Sequence, residues 1–224
     1  MTTEAGFPPY EFIENNEVVG IDVEIAAAIA EKLGLELKVE DMDFDGAITA
    51  AAEGKSDIAM AGISVTEERK EMVDFTPGYA TGVQVVVVKE GSDITSVDDL
   101  FADDASYTIG VQRNTTGDIY CTGDLEEAGK ATMDRYSKYG EAITALNTGK
   151  VDCVVMDMQP ALAFVEEVDG LKVLETEYAN EEYAIAMNKE NAALYVAVCN
   201  ALQELMEDGT VADIINKYIP AEAN

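Results

Sequence analysis

Histidine is absent from all 224 residues. Its absence excludes a Ser-His-Asp or Cys-His nucleophile, an imidazole zinc site and an imidazole switch centred near neutral pH. Cysteine is nearly as scarce. Cys121, Cys153 and Cys199 are far apart and odd in number, so no metal-knuckle or redox spacing exists and at most one disulfide can form. Cys153 stands in an apolar run, the setting of a small core residue rather than a reactive thiol. Positive charge is also in short supply: 14 basic residues face 45 acidic ones, a formal net charge of -31. Nucleic acid and anionic membrane surfaces are poor partners for such a chain. The acidity reads as a heavily solvated surface suited to a salty or extracellular setting, or as a cation-seeking one. No run approaches the roughly 18 apolar residues of a membrane span, and the opening "MTTEAGFPPYEF" has no basic-then-apolar leader, so a signal segment, if there was one, has been removed.

What is present includes a phrase written twice. "AITAAAEGKSDIAMAG" begins at Ala47 and "AITALNTGKVDCVVMD" at Ala142, and the two agree in register at 7 of 16 positions, offset by 95 residues. A chain of this length holds one large domain or two lobes of about 100 residues each, and the offset favours two. Around the first copy, "GIDVEIAAAIAEKLG" reads as a helix stopped by Gly34, "LELKVEDM" as a strand, "DGAITAAAEGK" as a helix closing at Gly54 and "SDIAMAG" as a short buried strand. Around the second, "SYTIGV", "ATMDRYS" and "VDCVVMD" read as strands between helical segments "GDIYCTGDLEEAG" and "YGEAITALNTG". This is the rhythm of an α/β layer with a largely parallel sheet, and both copies end at a strand's carboxyl edge, where ligands bind in open α/β sheets. Gly62 and Asp157 hold equivalent places there. Tyr79–Val83 and Tyr178–Tyr183 are candidate crossings between lobes. The tail reads as a strand and two helices, Asn191–Glu207 and Thr210–Tyr218, which make lobe one discontinuous if they pack against it.

Several residues are suited to chemistry. Arg69 lies in the first turn of a helix begun by Thr66, the wrong side of the dipole for a cation. It is either an exposed partner of Glu68 or Glu71, or a guanidinium fork holding a carboxylate by two parallel hydrogen bonds. Thr115 and Thr116 in "GVQRNTTGD" open a helix whose N–H groups suit an anionic group, or form an ordinary capped turn. Asp157 is either the N-cap of "MQPALAFVEEV" or an acceptor for a ligand cation. Taken together, Arg69 and Asp157 match a zwitterion. Phe7, Tyr10 and Phe44 are core aromatics, or walls around the aliphatic part of a ligand.

The ordered set "GFPPYEF", "GIDVEIAAAIAEKLG", "MDFDGAITAAAEGKSDIAMAGISVTEERKEMVDFTPGY", "GVQRNTTG" and "EAITALNTGKVDCVVMD" resembles the polar amino-acid substrate-binding proteins of ABC importers, over nearly the whole chain. The spacing of Ser64, Thr66 and Arg69 is its most diagnostic part. The resemblance implies a type II periplasmic-binding-protein-like α/β fold of two lobes, each a mostly parallel sheet flanked by helices, joined by a two-strand hinge. Lobe one is expected at 1–79 plus 184–224, lobe two at 84–178, and the hinge crossings at 79–83 and 178–183. It also implies a monomeric, extracellular or periplasmic receptor, secreted or held by a lipid-bearing segment since removed, that closes on a free L-amino acid and delivers it to ABC permease transmembrane subunits. In that reading Arg69, Ser64 and Thr116 clamp the ligand's α-carboxylate, and Asp157 with the Gly62 carbonyl takes the α-ammonium. Phe7 and Phe44 wall the side chain, and Glu4, Gln112 and Met156 read its identity. No catalytic group, metal or cofactor is expected. Two departures stand out: only "MTTEA" precedes the aromatic loop, so the first strand is missing or clipped, and Arg113 occupies a position usually small or polar. Two alternatives share the scaffold, a dehydratase acting on prephenate or arogenate with Glu4 or Glu182 as general acid, and the ligand-binding domain of a sensor.

Overall fold

Backbone pairing begins at the first residue. The computed structural model describes residues 1–220, which divide into two units, Met1–Thr81 with the chain from Glu182 onward, and Gly82–Glu181. The first strand is present, so of the two expectations, missing or clipped, the first is corrected: β1, Thr2–Thr3, is short, but Met1 and Thr2 carbonyls accept from Glu40 N–H at 3.0 Å and Met60 N–H at 3.1 Å. A strand with neighbours on both sides needs few residues to satisfy its backbone. Next come a three-stranded antiparallel sheet of β2 (Gly6–Phe7), β3 (Glu11–Glu14) and β4 (Glu17–Val19), and helix α1 (Ile21–Leu33). The helix buries Ile21, Ile25 and Ile29 at helical spacing and ends at Gly34, whose φ of 68° is left-handed. Of the alternating stretch "LELKVEDM", only Glu40–Asp41 forms a strand, β5, which lies at the sheet's edge with one neighbour. Helix α2 (Phe44–Ala52) starts where the Asp43 side chain accepts Gly46 N–H. After it come β6 (Ile58–Ala59), α3 (Glu67–Met72) and β7 (Asp74–Phe75).

The chain then enters the second unit along β8 (Ala80–Lys89), whose Val85–Val88 run is fully buried. There follow β9 (Tyr107–Gln112), α4 (Thr116–Cys121) continued by a π turn at Thr122–Glu126, β10 (Ala131–Tyr136), α5 (Tyr139–Asn147), β11 (Cys153–Asp157), α6 (Met158–Glu167) and β12 (Leu171–Tyr183). The sheet order is β10-β9-β11-β8-β12, with β9 parallel to both β10 and β11 and β8 antiparallel to β11. Val86, Val88, Ile109, Val111, Cys121, Leu125, Cys153 and Val155 make its core. Each such side chain contributes about 1.5–3 kcal/mol by leaving water. All three cysteines are free thiols, and burial pushes Cys121 up to about 12, which keeps it inert.

The chain returns to the first unit through β13 (Ala186–Met187), followed by α7 (Ala192–Glu207) and α8 (Thr210–Tyr218). β13 completes the first unit's sheet in the order β5-β1-β6-β13-β7. Val198, Ala201, Leu202 and Leu205 form the buried stripe of α7, which packs on α1. Phe44, Ile48, Ala59, Ile63 and Val73 belong to this unit's core.

Six carboxyl residues are buried among the described residues: Glu4, Glu11, Asp22, Asp118, Asp157 and Glu181. The great excess of acid therefore lies toward solvent, where it repels itself and 14 basic residues cannot neutralise it. Raising KCl from about 0.1 M to about 1 M shortens the screening length from about 10 Å to about 3 Å, so the thermal midpoint should rise by several degrees. Scanning calorimetry across that series checks this, and a flat or falling midpoint contradicts it.

Candidate functional site

In the first unit the candidate residues gather at the segment after β6. Gly62 takes φ 54°, and a Cβ there would come 2.6 Å from Phe7 Cε1, so the turn passes under the Phe7 ring only without a side chain. Gly62 N–H donates to Asp22 Oδ2 at 3.1 Å, and Tyr79 OH donates to Asp22 Oδ1 at 2.7 Å. Ser64 is buried and bridges Tyr183 in antiparallel fashion. Thr66 caps α3, its hydroxyl accepting Arg69 N–H at 3.2 Å.

Arg69 is not an exposed arginine. It is 6% exposed, its Nη1 donates to the Ser64 carbonyl at 2.8 Å, and its guanidinium carbon lies 5.1 Å from the centre of the Phe44 ring. Phe44 thus provides a π face for the cation, while the Ser64 contact fixes the plane of the fork. Phe7, Tyr10 and Tyr183 form a ring cluster with centroid separations of 5.2–6.5 Å. Glu4 is 2% exposed, and its carboxylate folds back over Gly6.

In the second unit the candidates sit at the carboxyl ends of β9 and β11. Side chains alternate along a strand, so the face of β11 that carries Cys153 and Val155 into the core ends at Asp157, and that of β8 with Val88 and Val86 ends at Gln84. Asp157 and Gln84 are direct cross-strand partners, and Gln84 Nε2 donates to Asp157 Oδ2 at 2.7 Å. Asp157 occupies the N-cap position of α6, but its side chain makes no cap hydrogen bond. Of the two readings open in the sequence, capping is the one the geometry removes. Met156 alternates to the opposite face from Asp157, which separates these two candidates.

The loop after β9 is held from within. Thr115 Oγ1 donates to the Gln112 carbonyl at 2.8 Å and accepts Asp118 N–H at 3.4 Å. Gln112 Nε2 donates to the Ser137 carbonyl at 3.0 Å. Asp118 accepts from Asn114 N–H at 2.9 Å and from Arg135 Nε at 2.8 Å, and Arg135 Nη2 also reaches Glu126 Oε2 at 2.7 Å. That pairing holds Glu126 below the usual carboxylate range and ties the π turn to β10. Thr116 is buried beside Gln84, with Nε2 to Oγ1 at 3.5 Å. Arg113 is exposed, a surface residue, and Glu182 is exposed as well.

Three participants were missed in the sequence: Gln84, Glu181 and Asp22. Gln84 carried a readable signal, a lone amide opening a run of four valines. Glu181 carried none, since nothing in "NEEY" tells which acid turns inward. Asp22 read as a first-turn acid complementing the α1 dipole, whereas it is fully buried.

Residues 1–221 match a family model described as bacterial extracellular solute-binding proteins, family 3. The arginine-binding extracellular protein ArtP of Bacillus subtilis is 30% identical over 99% of this chain and 86% of its own length. A solved structure described as an ancestral arginine-binding protein bound to arginine is 39% identical, covers 97% of this chain and 96% of its own, and superposes with a TM-score of 0.89. One described as an ancestral arginine-binding protein bound to glutamine is 38% identical over 98% and 96%, also with a TM-score of 0.89.

Burial raises Asp22 from 3.8 to about 6, against the pull of hydrogen bonds from Tyr79, Gly62 and Glu11. Between those values the folded state holds the extra proton, so this group's stabilisation is complete below about pH 4 and is lost as pH rises through about 6. Asp22→Asn keeps an acceptor for Gly62 N–H and removes the titration. It should flatten that part of the stability profile by about 1–3 kcal/mol, as read from urea midpoints between pH 4 and 7. An unchanged slope contradicts the assignment.

Proposed function

The chain belongs to the bacterial extracellular solute-binding proteins, family 3, and from that premise we propose that it captures free arginine, or a closely similar cationic L-amino acid, for an ABC importer. The observation that carries this reading is the burial of one strong cation, Arg69, in the first unit and of an uncapping acid, Asp157, at a strand end of the second. A zwitterion carries the complement of both.

In this reading the Arg69 fork, with Ser64 and Thr116, takes the ligand's α-carboxylate by charge-assisted hydrogen bonds. Asp157 and the Gly62 carbonyl take the α-ammonium. Phe7 and Phe44 pack on the methylene chain, and Glu4 receives the distal guanidinium. Gln112 contributes at the rim through its carboxamide. Arginine is favoured over neutral amino acids because Glu4 is buried and because relatives are named for arginine. Delivery to permease subunits and placement outside the membrane follow from the family, and no helix among the described residues is long and apolar enough to cross a membrane.

A ligand that binds only the folded state raises the midpoint by mass action. In a thermal-shift series of the twenty amino acids, arginine should give the largest rise, with a dissociation constant in the micromolar range, about -8 kcal/mol. Arg69→Ala and Asp157→Ala should each weaken binding more than tenfold, since each leaves one ligand charge unpaired. Titration calorimetry checks this. Near-wild-type binding by both variants, or no response to any amino acid, overturns the reading.

A further inference from the structure

The carboxyl of Asp22 joins parts of the first unit that are far apart in sequence. It is 0% exposed, and a separate donor points at each oxygen: Tyr79 OH at 2.7 Å from Oδ1 and Gly62 N–H at 3.1 Å from Oδ2. Glu11 on β3, also 0% exposed, is a further hydrogen-bond partner. The backbone of Asp22 is pinned where these donors converge. Its N–H donates to the Tyr10 carbonyl at 2.9 Å, and Gly20 before it has φ 128°, where a Cβ would come 2.3 Å from that carbonyl oxygen.

Tyr79 carries the contact further. Its N–H donates to the Tyr183 carbonyl at 2.9 Å, Tyr183 bridges Ser64, and the Ser64 carbonyl accepts from Arg69 Nη1 at 2.8 Å. Asp22 therefore reaches two groups that the amino-acid reading gives to the ligand, the Gly62 turn directly and Arg69 along a hydrogen-bonded path. The whole path lies in the first unit.

The groups that act on Asp22 are hydrogen-bond donors and not cations. Tyr10 adds a hydroxyl beside Tyr79. Charged groups on the other elements packed against α1 are placed elsewhere: Lys217 of α8 pairs with Glu24, Glu204 of α7 pairs with Lys32, and Glu17 of β4 is exposed. A carboxylate only accepts hydrogen bonds, whereas a carboxylic acid turns one oxygen into a donor. With a donor already aimed at each oxygen, an added proton meets one of them.

We propose that Asp22 is a positioning residue for ligand capture: as an anion it holds the Gly62 turn and Tyr79 in the binding arrangement, and a proton on it displaces one of them, so amino-acid affinity falls in acid. This rests on the amino-acid-binding reading above and deepens it. A ligand ammonium at the Gly62 carbonyl favours the anion across the same turn, so capture and loss of the proton support each other. By linkage, binding then expels a proton.

The test is L-arginine titration calorimetry on the wild type, Asp22→Asn and Tyr79→Phe between pH 5 and 7. No histidine is present to titrate in this range, and the Met1 ammonium, lowered by burial, is common to all three proteins. Because burial brings Asp22 to about 6, wild-type affinity should fall about tenfold from pH 7 to pH 5. At pH 6 the heat should vary with the ionisation enthalpy of the buffer, as expected for proton release. Asp22→Asn, which resembles the protonated acid, should bind at pH 7 about as weakly as the wild type at pH 5, with no pH dependence and no proton release. Tyr79→Phe removes a donor that favours the anion, so the fall in affinity should move to higher pH. A purely structural tyrosine gives no such displacement. Wild-type affinity that is constant across the range overturns the proposal, as does an equal fall in Asp22→Asn. If Asp22→Asn does not fold, Tyr79→Phe decides, and an unmoved profile there overturns it. A wild type stabilised by no amino acid at pH 7 is a different failure, that of the amino-acid-binding reading itself.

Discussion

A charge withdrawn from water must meet an opposite charge or lose its ionisation, and the arrangement of this molecule follows from where it accepts that condition. With so many acids available, nearly all stay toward solvent. Four of the six that are buried collect around a few backbone features: the Gly62 turn with Asp22, the Thr115 loop with Asp118, and the end of β11 with Asp157 and Glu181. Asp118 is answered by Arg135 within its own unit. Asp157 and Glu181 both accept from the Gln84 amide. Arg69 donates to the Ser64 carbonyl and lies over the Phe44 ring.

The strands explain how side chains arrive at these places. The helix-strand phrase occurs twice, and each copy delivers its last residues to the carboxyl edge of a sheet. The endings differ because the tasks differ. Gly62 has to turn with positive φ beneath an aromatic ring and present backbone groups. Asp157 has to project a carboxylate from the face whose earlier positions, Cys153 and Val155, are sealed in the core. Loops then supply the adjustable groups on fixed supports.

Most of the fold was legible because helices α1, α2, α5 and α7 combine apolar periodicity with clear starts and stops, and because β9, β10 and β11 stand between turn signals; β8, with its run of four valines, went unread beside the first crossing. The first unit's strands were less visible. β1, β5 and β6 are two residues each, and at that length pairing is decided by neighbours, not by local preference. Among the candidate residues, Arg69 stood out by breaking a local rule, and Asp157 by closing an apolar strand at the place that Gly62 holds in the first copy. Gln84 was readable as a lone amide before four valines, but its pairing with Asp157 comes from strand register. Glu181 depends on which way a crossing strand faces, and that is a tertiary property. The lack of histidine excluded imidazole titration near neutrality, yet Asp22 reaches about 6 by burial alone, which composition does not reveal.

The central claim is that the protein reads both charges of an α-amino acid, and ligand analogues separate those charges without touching the protein. Calorimetry should compare L-arginine with agmatine, which lacks the carboxylate, and with 5-guanidinovalerate, which lacks the ammonium group. The account predicts that each analogue binds at least about tenfold more weakly than arginine, because each leaves a buried protein charge without its partner. Binding of either analogue as tight as that of arginine would contradict it.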